Sequence, residues 1–224
     1  MFREDALCQE AFPSDSSSRL PILVTCRTAA GAMRILVRRL GAARALGVMS
    51  EVACAQGRGE PFGHLAQPGE AREALCRQQA GPAILLHRSL VRRMAADQAL
   101  AVTREVVVAG AVIFLAHSLG RLSREEIMAL SSARREAFVK ELGAKFFNAT
   151  LRWDEISGER LRFTVTHCRF PELCATAGAP EVAPLLCQGD AVYFGDVLGT
   201  VLLTRPHTLA EAGPDCPFTL TWKQ

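Results

Sequence analysis

Hydrophobic residues are spaced differently in the two halves of the chain, and the change falls near Asn148. Upstream of it, apolar side chains recur at intervals of three and four residues, as expected of helices with one buried face; the clearest set is Met33, Leu36, Val37 and Leu40. Downstream, apolar and polar residues alternate, which indicates strands. The pattern predicts an α+β fold, in which a helical N-terminal half packs on a small antiparallel sheet with short helices in the C-terminal half.

Five helices are predicted in the N-terminal half, over residues 28–55, 70–79, 82–95, 102–119 and 123–146. Gly41 and Gly47 are candidate interruptions of the first, and residues 21–27 before it are compatible with either a strand or a helix entry. Gly81-Pro82 is predicted to separate the second helix from the third, because proline suits the first turn of a helix. Ser123, with a glutamate three residues later, forms a capping box for the fifth.

The C-terminal half alternates between predicted strands and short helices. The predicted strands cover residues 150–154, 161–167, 198–204 and 218–222, and the predicted helices cover residues 170–177 and 181–189. Strand alternation places Cys168 on the face opposite Val165 and His167. His167 is therefore predicted to point away from the neighbouring thiol.

Composition narrows the class of protein. The 224 residues are predicted to form a polar leader over residues 1–20 and a single domain over residues 21–224. With 26 basic and 23 acidic residues, the net charge of +3 is too small to predict a nucleic-acid partner. The most apolar run, residues 106–116, is shorter than the roughly 20 residues that cross a bilayer, so we expect a buried core helix and no membrane span.

The eight cysteines are expected to be free thiols. No basic and apolar signal sequence is visible at the N-terminus, so a cytoplasmic location is expected, where thiols stay reduced. No CxxC pair occurs, and the later cysteines lack the spacing of a structural zinc site, so no metal is predicted, although a metal held by ligands distant in the sequence stays open. No cofactor is predicted. A homo-oligomer is compatible with the sequence, which leaves the oligomeric state open.

Cys168 is the first candidate for chemistry. It ends a predicted strand and precedes a short helix, whose dipole would lower the pKa of the thiol and favour a nucleophilic thiolate. A buried structural thiol is the alternative. Cys187 and Asp190 are three residues apart, so a continuous helix would place a carboxylate beside a thiol for acid–base work. If the helix ends at Gly189, Asp190 instead caps the following segment.

Polar residues near the C-terminus form the candidate substrate-binding set. Arg205 ends a predicted strand and could bind a substrate carboxylate in bidentate fashion. His207 lies in a proline-containing loop as a candidate base, with a solvated surface histidine as the alternative. Thr208 and Cys216 complete the set, and structural packing is the alternative for Cys216.

In this order, the segments resemble the L-2-amino-thiazoline-4-carboxylic acid hydrolase family. Its members carry a cysteine followed by an aromatic residue, then a stretch like LGxPELGxLxC with a nearby aspartate. An arginine-led strand, a TLAEG-type turn and a Cys-x-Phe near the end follow. The matching residues are Cys168 with Phe170, residues 177–187 with Asp190, Arg205, residues 208–211, and Cys216 with Phe218. The resemblance covers residues 161–222.

The resemblance implies a hydrolase that opens a small cyclic C–N or C–S substrate, such as a 2-aminothiazoline carboxylate, to give a carbamoyl cysteine. It implies that Cys168 is the nucleophile and that Cys187 is a second thiol candidate. Asp190 would act as an acid–base group or as the partner of the amidine, and Arg205 would anchor the carboxylate. Departures such as Pro206 are compatible with a different ring as substrate.

Two other functions fit the sequence. A ring-forming or rearranging enzyme of a biosynthetic pathway is one, because a scaffold does not fix the direction of a reaction. A non-catalytic small-molecule-binding module is the other. The ending Gly-x-x-Cys-x-Phe also resembles binding domains linked to vinyl-tetrapyrrole reductases, and the apolar half could line a pocket. Thiol reactivity separates these functions, since a catalytic cysteine is exposed with a lowered pKa and a structural one is inert.

Overall fold

A computed structural model describes residues 19–120 and 123–223, and the fold is α+β, as predicted. The predicted leader, residues 1–20, lies almost wholly outside the described residues. The helices are α1 (Ile22–Leu40), α2 (Ala42–Gly57), α3 (Ala71–Val91), α4 (Ala96–Leu119), α5 (Arg124–Ala129), α6 (Ser132–Ala144), α7 (Arg169–Thr176) and α8 (Ala183–Val192). The strands are β1 (Ala149–Ile156), β2 (Arg160–Cys168), β3 (Val201–Thr204) and β4 (Cys216–Trp222).

Gly41 separates the first two helices. Its φ is 82°, a conformation that glycine adopts readily, and its N–H donates to the Val37 carbonyl at the end of α1. The helix predicted over residues 28–55 is therefore two helices, and Gly47 lies within α2 without interrupting it. Residues 22–27, which fit either a strand or a helix on sequence, form the first turns of α1.

Helix α3 continues through Gly81-Pro82, where two separate helices were predicted. A proline in a helix interior usually costs about 3 kcal/mol, because it removes a hydrogen bond and crowds the preceding turn. Here residues 80–90 are buried on most sides, and Gly81 lies against Pro61 and Phe62. The predicted break is wrong because tertiary burial outweighs the local preference of proline.

Helix α4 begins at Ala96, earlier than the predicted residue 102. Among the described residues, one segment, Ala96–Ala129, is long and apolar enough to cross a membrane by length and composition. Its most apolar stretch of 18 residues has a mean hydropathy of 2.0, and 33% of that stretch is buried. Core helices of soluble proteins pass the same test. In this fold α4 packs against α1, α3 and α8, and none of residues 106–115 is exposed.

The helix predicted over residues 123–146 is also two helices. Ser123 caps α5 as predicted, since its side chain accepts a hydrogen bond from the Glu126 N–H. The backbone becomes extended at Leu130, and Ser131 then caps α6 by accepting from the Arg134 N–H. A second serine cap offers the chain a new helix start, which the hydrophobic periodicity alone does not reveal.

The four strands form one antiparallel sheet in the order β1-β2-β4-β3. A β-bulge near the end of β2 decides where Cys168 points. Thr166 is an extra residue between the partners of Thr150 and Leu151 on β1. It shifts the alternation, so that Cys168 packs in the same cluster as Val165. The prediction that these two residues lie on opposite faces is therefore wrong.

Helix α8 carries Cys187 and Asp190 and continues past Gly189 into a π-helical turn, Tyr193–Val197. The alternative in which the helix ends at Gly189 is thus wrong. Gly189 is buried where α8 crosses α4, and a Cβ at this position would overlap the Cβ of Ala111. This close approach of two helices brings the chemical residues of α8 against the sheet.

Candidate active site

A small cavity lies where α4 and α8 meet the sheet. Its volume is about 80 Å³, which limits an occupant to a compact molecule. Five of the seven predicted site residues line it: Cys168, Cys187, Asp190, Arg205 and Cys216. Apolar side chains make up most of the remaining wall, including Phe114, Leu151, Phe163, Phe170, Phe194 and Phe218. The cavity therefore surrounds a few polar groups with a hydrophobic shell, as small-molecule sites commonly do.

The charged centre of the cavity is an ion pair between Asp190 and Arg205. Arg205 Nη1 donates to Asp190 Oδ2 at 2.9 Å, and Nη2 donates to the Cys187 carbonyl at 2.9 Å. The guanidinium also lies over the Phe218 ring, 5.0 Å from its centroid. The side chain of Arg205 is 10% exposed, so these contacts fix its orientation. The predicted anchor for a substrate carboxylate thus already holds a carboxylate of the protein.

Burial raises the pKa of Asp190 from 3.8 to about 6, although the charge and the hydrogen bond of Arg205 act in the opposite direction. Removal of water destabilises the ionised carboxylate by more than the ion pair with Arg205 stabilises it. A carboxyl group with this pKa can accept or release a proton close to neutral pH. Raised pKa values of this kind, in a cleft with a specific partner, are typical of functional sites.

The raised pKa of Asp190 predicts a measurable effect on stability. Because the folded protein binds the Asp190 proton more tightly than the unfolded chain, the stability contribution of this group is complete below pH 3.8 and declines as pH rises through about 6. We expect the free energy of unfolding of the wild type, relative to Asp190→Asn, to fall by about 1–3 kcal/mol across that window. Urea denaturation at several pH values measures it.

Asp154→Asn is the matched control, with the opposite sign. Hydrogen bonds from Thr164 and Arg152 lower the pKa of Asp154. Its contribution to stability is therefore present at higher pH and lost as pH falls. Parallel curves for the wild type and Asp190→Asn between pH 4 and 6 would contradict the raised pKa of Asp190.

The Cys168 thiol sits at the N-terminus of α7, as predicted, but its pKa changes in the unexpected direction. Burial raises the pKa, and hydrogen bonds from the Phe170 N–H and the Asn148 amide only partly offset it. The amide nitrogen of Asn148 lies 3.5 Å from Sγ. The short helix and its dipole thus do not outweigh desolvation, and Cys168 is a protonated thiol at neutral pH in the unliganded protein.

The other two cavity thiols are also held in the protonated form. Burial raises the pKa of Cys187, and the neighbouring Asp190 charge raises it further. Burial likewise raises the pKa of Cys216, whose Sγ accepts a hydrogen bond from the Leu209 N–H at 3.1 Å. The cavity therefore combines three thiols with one carboxylate that can take up a proton.

The structure places the remaining two predicted site residues away from the cavity lining. His207 forms a hydrogen bond with Asp215, Nε2 to Oδ1 at 2.9 Å, and its side chain is 40% exposed. Thr208 is buried and donates to Glu211, and its carbonyl accepts from the Gly213 N–H. These residues build the turn between Arg205 and Cys216. They shape the site indirectly, through the path of the chain.

Sequence reasoning missed two polar residues of the cavity, Asn148 and Gln79. Asn148 lies in the connection from α6 to β1, at the change of periodicity, and no spacing rule links it to Cys168. Gln79 reaches the cavity from α3, which was predicted to break nearby. Both are contributed by the helical half, and only the packing of the two halves brings them to the thiols.

Within residues 19–120 and 123–223, no group of three or more histidine, cysteine, aspartate or glutamate side chains is arranged to hold a metal ion.

A family model for L-2-amino-thiazoline-4-carboxylic acid hydrolase matches residues 76–220 of the chain. The chain belongs to this family. A search of curated proteins and a search of solved structures each found no match.

The match to the thiazoline hydrolase family extends well beyond the C-terminal motifs. It begins within α3, includes all of α4 and ends in β4. Every residue that lines the cavity falls inside it, from Gln79 to Phe218. The region that matches the family therefore includes the whole cavity wall, from the helices as well as from the sheet.

Proposed function

We propose that the protein is a hydrolase that opens a small cyclic amidine, of the 2-aminothiazoline carboxylate type, in the cavity around Asp190. The observation that carries the proposal is the placement of a carboxyl group with a pKa near 6 in one desolvated cavity with three thiols and an arginine. Family membership supports hydrolysis as the reaction class. The small cavity supports a compact substrate.

In the first half of the proposed reaction, Cys168 attacks the amidine carbon of the ring. The proton of the thiol moves to the carboxylate of Asp190, and a bond forms between Sγ and the carbon. The bond from that carbon to the ring sulfur then breaks, and Asp190 returns the proton to the departing sulfur. The product of this step is an open chain with a free thiol, joined to Cys168 as an isothiourea.

In the second half, water attacks the same carbon. Asp190 accepts one proton from the water and returns it to the Cys168 sulfur as the bond from the carbon to that sulfur breaks, while the other proton of the water moves to the imine nitrogen as the carbonyl forms. The released molecule is a carbamoyl cysteine, so the sum of the two halves is substrate plus one water. Pairing a thiol with a carboxylate of pKa near 6 suits this sequence, because the proton is taken up only as the carbon–sulfur bond forms.

Arg205 has two roles in the proposal. It keeps a share of Asp190 ionised at neutral pH through the ion pair, as the direction of its effect on the pKa indicates. Two of its guanidinium nitrogens each retain a second N–H, because each makes one hydrogen bond among the described residues. Those N–H groups are the proposed contacts for a substrate carboxylate.

A non-catalytic binding module is the second candidate. The observation in its favour is that burial raises the pKa of all three cavity thiols, as expected of inert structural cysteines. A binding module would hold the cyclic compound in the apolar cavity and release it unchanged. Turnover separates the two candidates directly.

The test is incubation of the wild-type protein with 2-aminothiazoline-4-carboxylate and related cyclic amidines, followed by mass spectrometry of the small molecules. The expected result is a product heavier by one water and carrying a new thiol. The rate should rise with pH through an apparent pKa near 6, because Asp190 must be ionised to accept the proton. Saturable binding without any product would instead favour the binding module.

A further inference from the structure

Asn148 occupies a constrained position directly opposite Cys168. It lines the cavity, and its Nδ2 lies 3.5 Å from the Cys168 sulfur. Its own carbonyl accepts a hydrogen bond from the Arg169 N–H at 2.9 Å, and the next residue, Ala149, pairs with Cys168 across β1 and β2. Hydrogen bonds of both the backbone and the side chain of Asn148 therefore fix its position relative to the Cys168 thiol.

A second residue fixes the backbone around Asn148 from the outside. Arg72, near the start of α3, donates from Nε to the Phe147 carbonyl at 3.0 Å and from Nη2 to the Ala149 carbonyl at 2.6 Å. These carbonyls lie immediately before and after Asn148 in the chain. The guanidinium fork thus bridges the residue on both sides, a geometry that a rigid planar group provides and a flexible amine does not.

We infer that the side-chain amide of Asn148 is a catalytic hydrogen-bond donor to the Cys168 sulfur, and that Arg72 is the positioning residue that aims it. The catalytic role of this donor rests on the proposed function, in which Cys168 is the nucleophile. The hydrogen bond itself is a property of the resting protein. In the reaction, the sulfur carries negative charge when the proton leaves and again when the isothiourea is cleaved, and a fixed N–H donor favours both states.

The electrostatics of the thiol agree with this role. The hydrogen bonds from the Phe170 N–H and from Asn148 lower the pKa of Cys168, whereas burial, the charge of Asp190 and, when it is ionised, the charge of Cys216 raise it. The backbone donor is present with any side chain. Asn148 therefore contributes the side-chain hydrogen bond that lowers the pKa of Cys168.

The test compares the ionisation of Cys168 in the wild type and in Asn148→Leu, a replacement of similar size without a donor. Thiolate absorbance in the ultraviolet is titrated for each protein and for its Cys168→Ala counterpart, and the difference isolates Cys168 without requiring access for a reagent. We expect the pKa of Cys168 to rise by about one unit in Asn148→Leu. We also expect kcat to fall about tenfold with KM little changed.

Gln79→Leu is the matched control for the titration. It removes another cavity amide. Among the described residues, no hydrogen bond joins Gln79 to Cys168, so the titration of Cys168 should match that of the wild type. Superimposable curves for the wild type and Asn148→Leu would overturn the inference. A shift of equal size in Gln79→Leu would also overturn it, because the effect would then reflect cavity polarity in general.

Arg72 is tested in the same titration. Arg72→Met should raise the pKa of Cys168 in the same direction, and in the Asn148→Leu background it should add little, because both changes act through one hydrogen bond. Arg72→Lys keeps the charge without the fork and should recover the shift only in part. Fully additive shifts would overturn the positioning role.

The result separates this inference from the proposed function. If the titration shifts as expected and no cyclic amidine is turned over, the hydrogen bond stands and the hydrolase proposal fails. If turnover is found and the titration of Cys168 does not move, the hydrolase proposal stands and the role of Asn148 is overturned.

Discussion

Replacement of Cys168 with alanine is expected to reduce turnover of a 2-aminothiazoline carboxylate by roughly 10³-fold or more, because the covalent route is lost and only slow direct attack by water remains. Substrate affinity should change little, since the sulfur is one of many groups in the cavity wall. Single-turnover kinetics with excess enzyme measure the chemical step, and product is followed by mass spectrometry.

The other thiols provide matched controls for Cys168→Ala. Cys216→Ala removes a buried thiol of the same cavity, whose sulfur is held by the Leu209 N–H, and Cys54→Ala removes an exposed thiol on α2. We expect Cys54→Ala to match the wild type and Cys216→Ala to lose far less activity than Cys168→Ala. Undiminished turnover in Cys168→Ala would remove the nucleophile role and leave direct activation of water by Asp190 as the mechanism.

Gly189→Ala is expected to destabilise the fold by about 3 kcal/mol. A Cβ at residue 189 would overlap the Cβ of Ala111, which belongs to a packed helix and cannot rotate away. The helices α4 and α8 must then separate, and α8 carries Cys187 and Asp190. Activity should therefore fall together with stability, as measured by urea denaturation and by turnover of the same preparation.

Gly47→Ala is the control for Gly189→Ala. It makes the same substitution within α2, at an exposed position where a Cβ meets nothing within 4 Å. Alanine is the better helix former by about 1 kcal/mol, so this variant should be slightly more stable than the wild type. Opposite signs for one substitution in two helices would locate the effect in the contact with α4. Equal stability of Gly189→Ala and the wild type would contradict the close packing.

Local patterns in the sequence predicted those elements whose cause is local. Hydrophobic periodicity identified the helical half, alternation identified the strands, and Ser123 was recognised as a helix cap because its hydrogen bond spans three residues. The structure brings the motif residues Cys168, Cys187, Asp190, Arg205 and Cys216 to one cavity, and their roles in a reaction stay predictions. The sequence analysis grouped these residues because their order along the chain resembles the motifs of the family.

Errors arose where packing between distant segments overrides the local preference. Pro82 lies within α3 because burial compensates the missing hydrogen bond, and Cys168 faces the cavity because one extra residue, Thr166, shifts the strand register. The pKa of Cys168 rises although a helix begins beside it, since desolvation depends on the surrounding wall. No short window of sequence contains that information.

The sequence by itself determined the fold class, the family and most of the polar residues that line the cavity. Periodicity, helix caps and the order of motifs are properties that can be read along the chain. The tertiary structure decided which groups meet and in what protonation state. It placed Asn148 against the thiol, paired Asp190 with Arg205 and raised the pKa of Asp190 to about 6. The physical reason is that charge and hydrogen-bond energies depend on distance and on the removal of water, and both are set only when the helical half closes over the sheet.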